Sequence, residues 1–342
     1  MFRCSVSKDL NMELNILLVT IKNKNKIKKM SKIQTKTKVS NASDSLNYQE
    51  FKSKINSEGY YVSDEFILYN SFLSIKDMGS LKSQKVSCLL LDGPPGAGKT
   101  FLAQILSKII NAELIKYQFT AGSGVEDLLY DINIHNVVKG MGGAEVDSIY
   151  LDGILPQSIK TSHSNKVILL LDEMDKASPK VDAFLLDFLQ NGEIYNPHLG
   201  ELKANENNLL IILTKNNERL LSEPLMRRTR RLYLDFPSKA IEEKIVREAV
   251  PEFPIIATKT LVALANKIRN LRSTKNEPLK VPSSPELIRC ASDIVFSVSE
   301  DISKEMLGVL IKQWLLAYIE DVHALEESVE HLGGQFKSYF SS

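Results

Sequence analysis

The residues best suited to chemistry lie in one stretch, Gly93-Pro94-Pro95-Gly96-Ala97-Gly98-Lys99-Thr100, with the spacing G-x-x-x-x-G-K-T. Glycines at those positions let backbone N–H groups turn inward around an anion, and a helix starting at the lysine adds positive potential. Lys99 is placed to reach the outer phosphates of a nucleotide, and Thr100 to bind a magnesium ion. Further along, an apolar run ends in Asp172-Glu173. Asp172 at a strand's carboxyl end can hold magnesium through its water shell, and Glu173 can polarise an attacking water as a general base. That pair points to hydrolysis of a nucleoside triphosphate rather than phosphoryl transfer to a small acceptor, since the helical tail shows no basic cluster suited to a phosphate acceptor. Asp175 reads as a helix cap.

Two further groups could complete such a site. Thr214-Lys215-Asn216-Asn217 follows another apolar run, and a polar residue there, Asn216 better than Asn217, can orient the lytic water. Arg227, Arg228, Arg230 and Arg231 then crowd five residues. They suit a solvated face, a nucleic-acid patch or, the favoured reading, an arginine that stabilises phosphoryl charge in a neighbouring subunit, because the guanidinium is planar and stays charged.

The elements that must hold these groups follow from apolar patterning. Continuous apolar runs at 88–91, 167–171 and 209–213 suit strands buried on both faces, with further strands at 114–119 and 232–236. Helical spacing at 61–75 and 101–110, and a helix opened by Ser178-Pro179, alternate with them. Residues 120–165 look irregular, with Gly122, Gly124, Gly140, Gly142 and Gly143 marking turns or loops. The pattern predicts an α/β P-loop NTPase fold, a parallel five-stranded sheet with helices on both faces. Past Pro237 only amphipathic helices follow, at 240–250, 258–271, 285–298 and 304–325, with the single tryptophan, Trp314, as core. The expected domains are therefore 1–45 a Lys/Asn-rich tail, 46–237 the nucleotide domain and 238–342 a small helical lid.

Composition narrows the class. The chain has 342 residues and a formal net charge of +1, so no global field favours nucleic acid or an anionic membrane. Cys4, Cys88 and Cys290 have no metal-ligand spacing, which fits a reducing, cytoplasmic location, and Cys88 reads as a small buried hydrophobe. The apolar patch 14–21 is too short to span a bilayer and makes a poor signal peptide. The tail, with Lys22, Lys24, Lys26, Lys28 and Lys29, reads as solvated chain rather than a binding arm, or as sequence upstream of a start at Met30.

In this order the motifs resemble the AAA+ ATPases, and within them the MoxR branch. Val125-Glu126-Asp127-Leu128-Leu129-Tyr130-Asp131 is similar to that branch's helix-2 region, and Asp152-Gly153-Ile154-Leu155 to its G-P-L segment, with Ile154 for proline. Leu171-Asp172-Glu173-Met174-Asp175-Lys176-Ala177 resembles its Walker B signature, and 191–204 the hairpin before sensor 1. Leu221-Ser222-Glu223-Pro224-Leu225-Met226-Arg227-Arg228 is similar to the ATPases accompanying carbon-monoxide-dehydrogenase-type molybdenum enzymes. The resemblance implies ATP and Mg2+ as ligands, Asn216 as sensor 1, and Arg228 as the arginine finger, with Arg227 the alternative. It also implies a hexameric ring, with a protein client and in some cases a separate von Willebrand factor A partner. Glu286 stands where many members carry the sensor 2 arginine, and Arg289 lies one turn on. Two other functions compete with chaperone-like remodelling: a nucleic-acid-linked GTPase motor of the restriction type, and an ATP-gated assembly switch with little turnover.

Overall fold

The computed structural model describes residues 46–61, 64–132, 150–216, 218–273, 281–300 and 304–315. The expected tail, Cys4, Gly140, Gly142, Gly143 and Asn217 lie outside these residues.

Five parallel strands form the central sheet in the order β2-β5-β8-β1-β9. They are β1 (Ser87–Asp92), β2 (Glu113–Gln118), β5 (Val167–Asp172), β8 (Leu209–Lys215) and β9 (Arg230–Tyr233). Leu89, Leu90, Leu91, Ile168 to Leu171 and Leu210 to Leu213 are all fully buried. Each such side chain contributes about 1.5–3 kcal/mol relative to exposure. Alternate residues serve opposite layers. Leu89, Leu91, Ile168, Leu170, Leu210 and Ile212 pack against α1 (Tyr48–Ser57), α2 (Glu65–Lys76) and α3 (Lys99–Ile109). Leu90, Leu169, Leu171, Ile211 and Leu213 pack against α4 (Glu126–Leu129), α5 (Ile154–Ser162) and α6 (Pro179–Asn191). Helices on both faces explain why these strands read as unbroken apolar runs.

Three stretches differ from the sequence reading. Residues 120–165 are not only loop: α4 leads into a hairpin of β3 (Tyr130–Ile132) and β4 (Tyr150–Asp152), and α5 follows. The helix expected from residue 61 starts at Glu65, where the Asp64 carboxylate caps the Phe66 N–H at 2.8 Å. The last strand is shifted towards the N-terminus, yet Leu234 N still donates to Asp92 O at 2.8 Å and keeps the chain beside β1. A second hairpin, β6 (Glu193–Asn196) with β7 (Gly200–Lys203), occupies the place the sequence reading gave it.

After the short helix α7 (Glu223–Arg228) and β9, the described residues are helical: α8 (Lys239–Ala249), α9 (Ile255–Ser273), α10 (Ser284–Ser299) and α11 (Lys304–Leu315). They share a separate apolar cluster that includes Val246, Phe253, Leu261, Leu287, Cys290 and Ile311. Trp314 is only partly buried against it, because its indole N–H reaches out to Asp293 at 2.6 Å. No described helix is long and apolar enough to cross a membrane.

Candidate nucleotide site

The chain crosses from β1 over to β2 at one edge and later returns to β9 on the other side of β1. In such sheets, the crevice at the strands' carboxyl ends is where ligands bind. Parallel register sets the residues there: Gln118 lies opposite Asp172, Leu171 opposite Leu213, and Leu91 opposite Thr214.

The glycine loop leaves β1 and turns into α3 at Lys99. Gly96 (φ 77°) and Gly98 (φ 87°) are both left-handed, a conformation costing an L side chain about 1–2 kcal/mol. Gly96 is needed for a second reason. A Cβ there would lie 2.2 Å from the Ser283 Cβ, so the start of α10 rests on the loop. The Lys99 ammonium donates to Gly93 O at 2.6 Å and Pro94 O at 2.8 Å. Burial lowers its pKa, against the opposing pull of Asp172, Asp175 and Asp92.

Asp172 is the buried carboxylate of the site. Thr214 Oγ1 donates to its Oδ1 at 2.5 Å, Thr100 Oγ1 to its Oδ2 at 3.1 Å, and Lys116 Nζ pairs with Oδ2 at 2.9 Å. Burial pushes the Asp172 pKa up, but the bonds from Thr214, Lys116 and Thr100 and the Lys116 charge outweigh it, so the net direction is down. Glu173 follows in the left-handed region, φ 57°. Its Oε2 accepts from Lys176 Nζ at 2.8 Å and Gln118 Nε2 at 3.0 Å. Those two donors overcome partial burial and lower its pKa. Its backbone N–H donates to Thr214 Oγ1 at 2.9 Å, so one buried hydroxyl ties both acidic residues together.

Asp175 does not act as a helix cap, as the sequence suggested. It is 4% exposed, and its Oδ2 accepts the N–H groups of Asn216 (2.8 Å) and Glu218 (2.9 Å). It thereby pins the loop after β8 to the turn after β5, while its buried Oδ1 has no hydrogen-bond partner. Asn216 is held through its main chain beside the acidic pair. Further along the same loop, Asp182 receives two bonds from Arg219, at 2.8 and 3.0 Å, and the Ser222 N–H at 2.6 Å.

The arginines are not drawn into this constellation. Arg227 pairs with Glu223 on the exposed side of α7, and Arg228 Nη1 donates to Ser83 O at 3.0 Å. Arg230 is tied to Asp77 and Asn70 at 2.6 and 3.0 Å. Arg289 sits over the Trp314 ring, 5.7 Å from its centroid, rather than at the glycine loop. Glu286, at the sensor 2 position, accepts the Ser283 N–H at 2.7 Å and completes a capping box on α10.

Lys116, Gln118 and Thr214 are the site residues that motif spacing misses. Each comes from its own place in β2 or β8, and only strand register brings it to Asp172 and Glu173. Thr214, a polar residue ending a continuous apolar strand, left the one visible signal.

A phosphate loop at the strands' carboxyl ends, beside a hydroxyl–carboxylate pair, defines a P-loop nucleotide-binding fold. Residues 88–232 match the AAA domain family, dynein-related subfamily. Lon protease 1 of Borreliella burgdorferi is 26% identical over 78% of this chain and 34% of its own length. The Lon protease of Clostridium acetobutylicum is 29% identical over 54% of this chain and 23% of its own. The chain thus spans about a third or less of these relatives. Among solved structures, a RuvB mutant of Thermotoga maritima aligns over 79% of this chain and 73% of its own, at 14% identity and a TM-score of 0.46. Residues 88–232, which hold the glycine loop and the acidic pair, are therefore similar to AAA domains, whose ATPases use ATP with Mg2+.

The residues present fit that metal. A hard cation of magnesium's size takes oxygen ligands and is commonly held by one or two protein groups together with substrate phosphates. Thr100 Oγ1 and Asp172 Oδ2 offer such a pair 3.1 Å apart. Among the described residues there is no group of three or more His, Cys, Asp or Glu suited to an all-protein metal cage.

Proposed function

We propose that this chain is a MoxR-like ATPase that couples ATP hydrolysis to the remodelling or maturation of a protein complex, working as a ring of identical subunits. The observation that supports it most is the meeting of Lys99, Thr100, Asp172 and Glu173 at one crevice, with Arg227 and Arg228 held apart on α7. A site to which neither of these arginines is drawn among the described residues suits completion by a neighbour.

In this reading the loop from Gly93 to Thr100 binds the β- and γ-phosphates. Lys99 exchanges the carbonyls of Gly93 and Pro94 for phosphate oxygens. Thr100 and Asp172 hold Mg2+, which when bound supplies Lewis-acid neutralisation of phosphate charge. Glu173 orients a water and takes its proton as the water oxygen attacks the γ-phosphorus. The bond to the bridging oxygen breaks, leaving ADP and phosphate. Asn216 steadies the water from the end of β8. Arg228 of one subunit, or else Arg227, compensates charge on the next subunit's γ-phosphate.

A protein client is favoured over nucleic acid on two grounds. The chain's charge is near balance, and the relatives above are named proteases, which act on proteins. A metalloenzyme complex is the candidate client and a separate von Willebrand factor A protein the candidate partner.

The test is phosphate release per subunit across protein concentration for wild type, Glu173→Gln, Arg228→Ala and a mixture of the two variants. The proposal expects activity that rises with assembly, two inactive variants, and partial recovery on mixing, since each variant carries what the other lacks. Flat specific activity across assembly would mean a site complete within one chain and would sink the ring mechanism. Stimulation by nucleic acid with a guanine preference would favour the GTPase motor, and tight binding without turnover the switch.

A further inference from the structure

Lys116 is unexplained by the nucleotide site as described. It lies in β2, an edge strand, opposite Leu170 rather than Asp172. To reach Asp172 its side chain leans two residues along the sheet, roughly 7 Å, a span that a lysine can cover. At that end it pairs with Oδ2 at 2.9 Å, while Thr100 bonds the same oxygen at 3.1 Å and Thr214 takes Oδ1. The lysine side chain is 39% exposed and the aspartate 9%, so the pair has one foot in solvent. Oδ2 is the oxygen that Thr100 marks as a magnesium position. An ammonium paired there and a divalent cation, held directly or through its water shell, compete for that oxygen because their like charges repel.

We propose that Lys116 is the resident counter-ion of Asp172 in the metal-free site and competes with Mg2+ for it. This rests on the reading of Thr100 and Asp172 as the magnesium-holding pair. A buried carboxylate without a cation is costly, and Lys116 removes that cost when no metal is bound. Mg2+ entry then requires the lysine to swing away, which its exposed position on an edge strand permits. The lysine thereby sets how much free Mg2+ is needed before nucleotide is held productively. Part-exposed ion pairs are worth little, so the expected effect is about three- to fivefold in Mg2+ concentration.

The experiment uses the full chain and a fluorescent, non-hydrolysable ATP analogue, titrated with Mg2+ for wild type, Lys116→Met, Lys116→Gln and Lys116→Arg. Thermal melts of each variant confirm folding, and Mn2+ binding without nucleotide, read by electron paramagnetic resonance, gives a second measure. Met and Gln should lower the half-saturating Mg2+ by about three- to fivefold and tighten Mn2+ binding similarly, whereas Arg, which keeps the charge, should stay near wild type. An unchanged or raised midpoint in both neutral variants overturns the competition while leaving the nucleotide site intact. Failure of the analogue to bind wild-type protein at any Mg2+ concentration overturns the site reading itself, and this inference with it.

Discussion

Replacing Thr214 with valine tests the reasoning about the site most directly. The two side chains share shape and branching, so the change removes a hydroxyl and little else. Thr214 is fully buried, and its hydroxyl donates to Asp172 at 2.5 Å while accepting the Glu173 N–H at 2.9 Å. Losing a bond to an ionised carboxylate costs about 1.5–3 kcal/mol, and stranding a buried N–H about 1–3 kcal/mol. Partial relaxation brings the expected total to about 2–4 kcal/mol. Thr214→Ser keeps both bonds and gives up one methyl, about 1 kcal/mol. Urea unfolding of the three proteins separates these terms, and phosphate release reports the consequence for chemistry. Since the hydroxyl sets the relative position of Asp172 and Glu173, Val should lower turnover by about tenfold or more, and Ser much less. Equal stability and equal turnover for Val and Ser would refute the claim that this hydroxyl organises the acidic pair.

Three other outcomes are expected. Gly96→Ala should lose about 1–2 kcal/mol to its left-handed backbone, and its Cβ, 2.2 Å from that of Ser283, should also weaken binding of a fluorescent nucleotide. Arg269→Met should cost about 3–5 kcal/mol in urea unfolding by leaving Glu242, which is 0% exposed, without its partner, and adding Glu242→Gln should restore part of the loss. Asp172 and Glu173 both titrate below their ordinary values of 3.8 and 4.5, so the stability they contribute is present above those values and is lost as pH falls through the lowered ones. Acid unfolding curves should therefore show Lys176→Met, which raises the Glu173 value again, losing less stability than wild type on acidification below about pH 4.5.

How much was legible in the sequence depended on whether the signal was local. The glycine loop and Asp172-Glu173 each sit within a few consecutive residues, and the buried strands are unbroken apolar runs, so the fold could be read directly and the centre of the candidate site located. Thr214, Gln118 and Lys116 belong to the site only through the parallel register of β2, β5 and β8, which no spacing along the chain encodes. The helix Ile154–Ser162 was hidden for a different reason. Pro156 falls inside its first turn, where a proline is tolerated but reads as a breaker, and its buried face includes Ser158 and Ser162 beside Leu155 and Ile159. Asp175 looked like a cap because it opens a short helical turn, whereas its partners lie forty residues away.

The Arg269 guanidinium stacks over Phe236 at 4.1 Å, grips Glu242 through both oxygens at 2.8 Å, and donates to Pro282 O at 2.7 Å. It therefore acts as a rivet through three parts of the chain: the exit from the sheet, helix α8, and the residue just before Ser283. Ser283 in turn rests on Gly96. With Glu286 spent on its own helix, the contact between Ser283 and Gly96 is one of shape, made by neutral atoms. A cation reaching for a phosphate would be screened as salt rises. This contact would not, and the Arg269–Glu242 pair behind it is buried and so only weakly screened, so ionic strength should act more on the metal side of the site than on the helical side's grip on the loop.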